Sequence, residues 1–196
     1  MTEQLPLFPL QTVLFPGGRL PLKIFEARYL DLVSHCVREE VPFGVCLIRR
    51  GSESGAPAEF FPTGTSARIM EWGQNADGLL HITVQGERRF RVLSSAAGSN
   101  RQIRGEVEWY EDLSTATVLE DRELAPLREL FMRASGALDL PGQLREAELH
   151  DPGWLSFRLA ELLPDLVLKQ TLLQMDSGRE RLAHLRTLLS ATATAV

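Results

Sequence analysis

Lysine is nearly absent from this chain: only Lys23 and Lys169 occur, and every other basic residue is an arginine. No Gly-Lys pair exists, so the Gly-Lys-Ser/Thr turn that sets a cation against nucleotide phosphates cannot form. Lys23 lies in an apolar, Pro-rich segment and Lys169 in a helical pattern. Neither belongs to a recognisable nucleophile motif, which argues against a Ser-Lys proteolytic dyad. Cysteine is equally sparse. Cys36 falls in a predicted helix and Cys46 in a predicted strand, and both are expected as buried free thiols. His35 adjoins Cys36, but neighbours on a helix diverge by about 100°, which excludes a nucleophile-base pair. His81, His150 and His184 stand alone, with no Cys-x-x-Cys or His-Glu-x-x-His spacing, so neither a metal nor any other cofactor is expected.

Long apolar runs are also missing. Met1-Thr2-Glu3-Gln4 has no basic region, and the stretch behind it is broken by Pro6, Pro9 and Pro16. It reads as neither signal peptide nor membrane span, and a cytoplasmic protein with no membrane partner is expected. The net charge of -5 opposes a general phosphate-binding surface, since such surfaces need clustered Lys and Arg.

What is present supports a packed core, with 44% of the 196 residues hydrophobic and 24% charged. Up to about Tyr110 the patterns are mostly those of short strands. Leu80, Ile82 and Val84 alternate with His81, Thr83 and Gln85, while Ile103, Val107 and Trp109 alternate with Arg104, Glu106 and Glu108. Asp77-Gly78 is a hairpin signal because glycine tolerates positive φ. One helix is predicted over residues 25–40, where Phe25, Tyr29, Leu32, Val33, Cys36 and Val37 recur at helical spacing. Phe8, Phe15, Phe25 and Tyr29 are expected in the core.

From about Thr117 the period changes to 3.6. Thr117 and Glu120 have capping-box spacing ahead of Leu124, Leu127, Phe131 and Ala134, with Pro126 placed to bend that helix. Asp151-Pro152 opens a helix through Leu155, Leu159 and Leu163 that Pro164 ends. A third helix carries Leu166, Leu168, Leu172 and Leu173. A fourth, capped by Ser177 and Glu180, carries Leu182, Leu185, Leu188 and Leu189, and the tail from Ser190 to Val196 is expected to fray.

Three clusters invite a functional reading. Gly51-Ser52-Glu53-Ser54-Gly55 shares two glycines with the hydrolase elbow, but Glu53 holds the nucleophile's position and no helix start follows, so a flexible surface loop is expected. Glu26 and Arg28, two apart on the predicted helix, should point to different sides and each make a structural ion pair or hydrogen bond. Arg89 and Arg91 should share a solvated strand face opposite Phe90 and Val92, beside Arg88.

Leu5-Pro6-Leu7-Phe8-Pro9-Leu10, Val13-Leu14-Phe15-Pro16-Gly17 and Leu20-Pro21-Leu22-Lys23-Ile24-Phe25-Glu26-Ala27-Arg28-Tyr29 together resemble the amino-terminal domain of Lon proteases. The likeness continues through Phe43 to Ile48, Gly64 to Ile69 and Gly86 to Val92, and weakly through Leu155 to Leu189. The resemblance implies an α+β fold: a β-rich, PUA-like pseudo-barrel lobe with one helix over residues 1–116, then a helical bundle lobe over 117–196. It implies a non-enzymatic module that binds unfolded polypeptide or a protein partner, an adaptor or regulator in protein quality control that carries neither the ATPase nor the peptidase part. RNA binding through the barrel and the Arg88 to Arg91 cluster is the alternative, and a weak homo-oligomer is compatible with both. The candidate partner-binding residues are Glu26, Arg28, Tyr29, Glu53, Arg89 and Arg91, with a site expected between the lobes or at the Gly51 to Gly55 loop.

Overall fold

The computed structural model describes residues 2–74, 78–111, 121–135 and 146–193. Asp77 of the hairpin signal and the Thr117 and Glu120 capping box lie outside the described residues. The chain forms two compact units, Met1–Tyr110 and Glu111–Val196, the first built on a sheet and the second on helices, so the fold is α+β.

The first unit runs β1 (Thr2–Leu10), β2 (Arg19–Ile24), α1 (Ala27–Glu39), β3 (Phe43–Arg50), β4 (Glu59–Gln74), β5 (Leu80–Ala97) and β6 (Ile103–Trp109). The sheet order is β2-β5-β4-β3-β1-β6, and a further β5–β6 pairing closes β1, β3, β4, β5 and β6 into a ring. Only the β1–β3 pairing is parallel. Strand β5 pairs with β2 over its first part, Leu80 to Gln85, and with β6 from Phe90 onwards.

The changeover lies at Gly86. Here the segment leading into β2 crosses β5: Gly17 donates to the Gly86 carbonyl at 2.7 Å and Gly86 donates to Gly18 at 2.8 Å. A Cβ on Gly86 would stand 2.2 Å from the Phe15 carbonyl oxygen, so only glycine permits the crossing. From the Gly18–Gly86 bond, the two-residue alternation of an antiparallel pair aims the backbone groups of Leu20 and Leu22 at β5. Those of Arg19, Pro21 and Lys23 face the open edge. Proline, with no N–H, is tolerated on that side alone.

Two apolar clusters share the first unit. One joins α1, through Tyr29, Leu32, Val33 and Cys36, to Phe8, Val45, Ile82 and Val84. The other comprises Leu5, Leu7, Cys46, Phe90, Ile103 and Val107. A five-stranded ring cannot enclose a helix, so α1 covers its outside and the second cluster fills its inside. Between Gly86 and Arg89 strand β5 carries one residue more than β4 opposite, a bulge. This moves Phe90 to the ring interior while Ile82 and Val84 remain on the α1 side.

Beyond the bulge Arg89 and Arg91 share a strand face, opposite Thr65 and Thr63, but that face is solvated only in part, which corrects the expectation for Arg89. Arg91 is exposed, but Arg89 is only 3% exposed, opposite fully buried Thr65 and with its guanidinium 4.7 Å from the Tyr110 ring. A second correction concerns Phe25. It precedes the helix, which begins at Ala27, and is 64% exposed rather than part of the core. Phe8, Phe15 and Tyr29 are buried as expected, and both cysteines are buried free thiols.

The second unit contains α2 (Asp121–Ser135), α3 (Glu146–Leu149), α4 (Pro152–Glu161), α5 (Leu166–Gln174) and α6 (Gly178–Ala193). The caps are those read from the sequence: Asp151 accepts from Gly153 N–H, with Pro152 in the first turn, and the Ser177 hydroxyl accepts from Glu180 N–H at 3.4 Å. Asp165 caps α5 by accepting from Leu168 N–H. Leu124, Leu127, Phe131, Leu155, Leu159, Leu172, Leu173, Leu182 and Leu185 are buried. Unforeseen is Arg181, wholly buried, donating to Ser156 Oγ at 2.8 Å and the Met175 carbonyl at 2.6 Å, with its guanidinium over the Phe157 ring. Helix α6 continues to Ala193 where fraying was expected, because no glycine or proline interrupts its hydrogen-bond ladder. No described helix is long and apolar enough to cross a membrane.

Gly86→Ala should lower stability by about 1–3 kcal/mol or more, because the clash is with backbone and cannot relax through a rotamer; urea unfolding followed by circular dichroism measures it. Burial pushes the Cys36 thiol up to about 11 and that of Cys46 higher still. Native protein at pH 8 should therefore resist alkylation that goes to completion in urea, as mass spectrometry would show.

Candidate functional site

Strand β2 ends at Ile24, and the chain reaches α1 through Phe25 and Glu26. Glu26 is the helix N-cap, with extended backbone and no side-chain capping bond. Its carboxylate pairs with Arg28 instead, at 3.1 Å to Nε. The expectation that these two side chains diverge fails because Glu26 is not helical, so the angle between helical neighbours does not apply.

Arg28 is 6% exposed and fastens three separate segments. Besides Glu26 it donates to the Glu53 carbonyl at 3.1 Å and the Arg101 carbonyl at 3.4 Å, and its guanidinium lies 4.5 Å from the centroid of the Tyr29 ring. The Gly51 to Gly55 loop is held from the other side by β1's end, where Gln11 N–H donates to Glu53 Oε1 at 2.6 Å. Gly51 and Gly55 take φ of 108° and 89°, values that strain any other residue, which is why glycine brackets the loop.

These contacts frame a cavity of about 220 Å³. Its floor is Phe8, Leu22 and Tyr29, with Phe8 and Tyr29 stacked at 3.7 Å between ring centroids. Glu26 and Glu53 stand at its rim, and Phe25 projects beside them. Burial raises the Tyr29 phenol to about 12, against an opposing pull from Arg28, so it stays neutral and can donate or accept a hydrogen bond. Aromatic and aliphatic walls with a few polar groups suit burial of an apolar side chain whose own backbone needs partners.

The structure thus brings Glu26, Arg28, Tyr29 and Glu53 together, and places Arg89 and Arg91 elsewhere. The arginine cluster does not form one solvated patch: Arg88 N–H bonds Ser66 Oγ while its guanidinium covers Trp109, Arg89 is buried with its guanidinium against the Tyr110 ring, and Arg91 faces solvent. Sequence reasoning missed Phe25 as an exposed lip and Gln11 and Arg101 as partners. It also missed a second depression of about 360 Å³ between α1 and β4, lined by Val37, Val41, Met70 and Trp72. A third, of about 460 Å³, lies on β2, β5 and β4 around Pro21, Lys23, Glu71, Trp72, His81 and Thr83.

Arg28→Met should cost about 2–3 kcal/mol, since it strands the Glu26 carboxylate and two carbonyls. Amide hydrogen exchange in residues 51–55 should accelerate relative to β3, while Arg28→Lys, a single point donor, should restore only part of the protection.

The ATP-dependent protease La (LON) substrate-binding domain matches residues 4–191 of this chain. The Lon N-terminal domain protein of Xanthomonas campestris, a crystal structure, is 37% identical with a TM-score of 0.75, covering 94% of this chain and 98% of that one. The N-terminal domain of Mycobacterium avium complex Lon protease shares the fold at 20% identity, with a TM-score of 0.66 over 93% of this chain and 96% of that one. Among full-length relatives, Lon protease of Anaeromyxobacter dehalogenans is 33% identical over 123 residues, which is 62% of this chain and 14% of that protein. Lon protease of Dictyoglomus thermophilum is 25% identical over 92% of this chain and 23% of its own length. The chain therefore spans a quarter or less of these two proteases, and on the strength of the match across residues 4–191 it belongs to the Lon substrate-binding domain family.

Proposed function

We propose that this chain is a non-catalytic polypeptide-binding module that takes up exposed apolar side chains of unfolded protein at the cavity beside Phe25, as an adaptor or regulator in protein quality control. One observation carries the reading. Phe25 is 64% exposed at the mouth of a cavity floored by Phe8 and Tyr29, although a phenylalanine at that exposure forgoes its burial energy unless something else covers it. Membership of a family described by substrate binding supports the same direction. The groups that meet at the cavity are rings, aliphatic chains, the Lys23 side chain and carboxylates already tied to Arg28 and Gln11, which supports holding rather than converting a ligand. RNA draws no comparable support, because Arg89 is buried and the Arg88 and Arg89 guanidinium groups lie over the Trp109 and Tyr110 rings.

Fluorescence anisotropy of a labelled, reduced and alkylated protein, kept permanently unfolded, tests this reading. Titration should give saturable micromolar binding without nucleotide. Phe25→Ser should weaken it roughly ten-fold, in keeping with burial of one phenylalanine, and leave the melting temperature unchanged because the side chain is exposed. Absence of binding up to about 100 μM, or full binding by Phe25→Ser, overturns it.

A further inference from the structure

The 360 Å³ depression between α1 and β4 lies apart from the Phe25 cavity and shares no lining residue with it. Trp72 is 65% exposed, Met70 46% and Val41 38%, and all three line this one groove. Strand β4 carries one residue more than β5 between Ile69 and Glu71, so Met70 occupies a bulge. Bulges re-aim side chains, and this one leaves two large apolar groups presented at the groove in the space of three residues.

The groove is lined by one carboxylate and one guanidinium, Glu40 and Arg68. Its lining includes the end of α1, a 13-residue helix whose C-cap is Glu40. The carbonyl end of a helix carries partial negative charge and favours a cation. Here the last turn holds Arg38, and Arg68 donates to the Glu40 carbonyl at 3.0 Å. Arg38 and Glu39 pair at 2.7 Å, and Arg68, the one cation among the described lining residues, is bound to Glu87 and to the Glu40 carbonyl. Glu40's carboxylate forms no ion pair among the described residues. A carboxylate with no ion-pair partner among the described residues thus lines the same groove as an exposed indole, whose ring face also attracts cations.

We propose that this groove is a second docking surface, and that its occupant is a polypeptide segment pairing an apolar side chain with an adjacent lysine or arginine. The apolar group fills the space between Val37 and Trp72, and the cation sits at the α1 terminus near Glu40, within reach of the Trp72 ring. The assignment goes beyond the Phe25 cavity and does not rest on it.

Three labelled twelve-residue peptides test the assignment on the full chain by anisotropy: one with a central Leu-Leu flanked by arginines, one with glutamates in place of the arginines, and one with serines in place of the leucines. The first should bind at least about ten-fold more tightly than either other. Trp72→Ala should abolish the margin over the glutamate peptide in protein whose circular dichroism is unchanged, Glu40→Lys should erase the preference for arginine over glutamate, and Phe25→Ser should leave that preference intact. Equal binding of the arginine and glutamate peptides, or full binding by Trp72→Ala, overturns the proposal. Loss of binding in Phe25→Ser but not in Trp72→Ala also overturns it and assigns the peptide to the first cavity. A dimer in sedimentation that Trp72→Ala disperses, without peptide binding, overturns it in favour of a second copy of this chain.

Discussion

The close approach of the Phe15 carbonyl to Gly86 is the constraint on which the amino-terminal unit depends. It is a point contact, yet it decides how one long strand serves two purposes. Before it, β5 belongs to an arm with β2 and β4; after it, β5 closes the ring with β6. The bulge that follows immediately exchanges the two faces of the strand, so the same alternating pattern first feeds the cluster under α1 and then the ring interior. Both depressions that α1 or its approach helps to line are consequences, since the arm provides Leu22 to one and Met70 and Trp72 to the other.

Arg28 plays a complementary part on the polar side. Burying a guanidinium is costly unless its donors are met, and here the partners come from segments far apart in sequence: the N-cap, the Gly51 to Gly55 loop and the turn before β6. The bond to Glu53 matters most for the site, because it holds a loop with glycines at both ends against the cavity rim. A lysine there would satisfy one carbonyl at a time. The arrangement joins the loop to the folded core through hydrogen bonds rather than apolar contact, which leaves the apolar surface of Phe8, Leu22 and Tyr29 facing the cavity.

What was legible in the sequence was local. The alternation of Ile82 and Val84, the helical stripe of Tyr29, Leu32, Val33 and Cys36, and the Asp151-Pro152 cap each follow from a few neighbouring residues, and each is present. What was not legible depends on a partner strand or on a boundary. No window of sequence shows that β5 carries one residue more than β4, or that the Tyr110 ring covers Arg89 on the face that local alternation gives to solvent. A helix start misplaced by two residues was enough to put Phe25 in the core and to separate Glu26 from Arg28. Arg181 misleads for a chemical reason: a side chain that ordinarily marks a wet face is buried here because Ser156 and the Met175 carbonyl meet its donors and Phe157 its flat side. Of the candidate site, the loop and the motif around Glu26 to Tyr29 were visible as segments, but their meeting at one cavity was a property of the topology.

Pro21 in the open edge of β2 bears on what kind of recognition this architecture permits. With that amide missing, an incoming chain finds an interrupted row of donors and cannot extend the sheet in continuous register. On the proposed reading, a bound polypeptide is held through side chains sitting in depressions, contacts that are indifferent to chain direction and to the spacing of the residues between them. Such a surface distinguishes clients by which groups they expose rather than by the order in which those groups occur, and it lets them go one side chain at a time. The same missing amide keeps the strand from templating its own kind, so β2 does not offer neighbouring chains a continuous edge on which to aggregate.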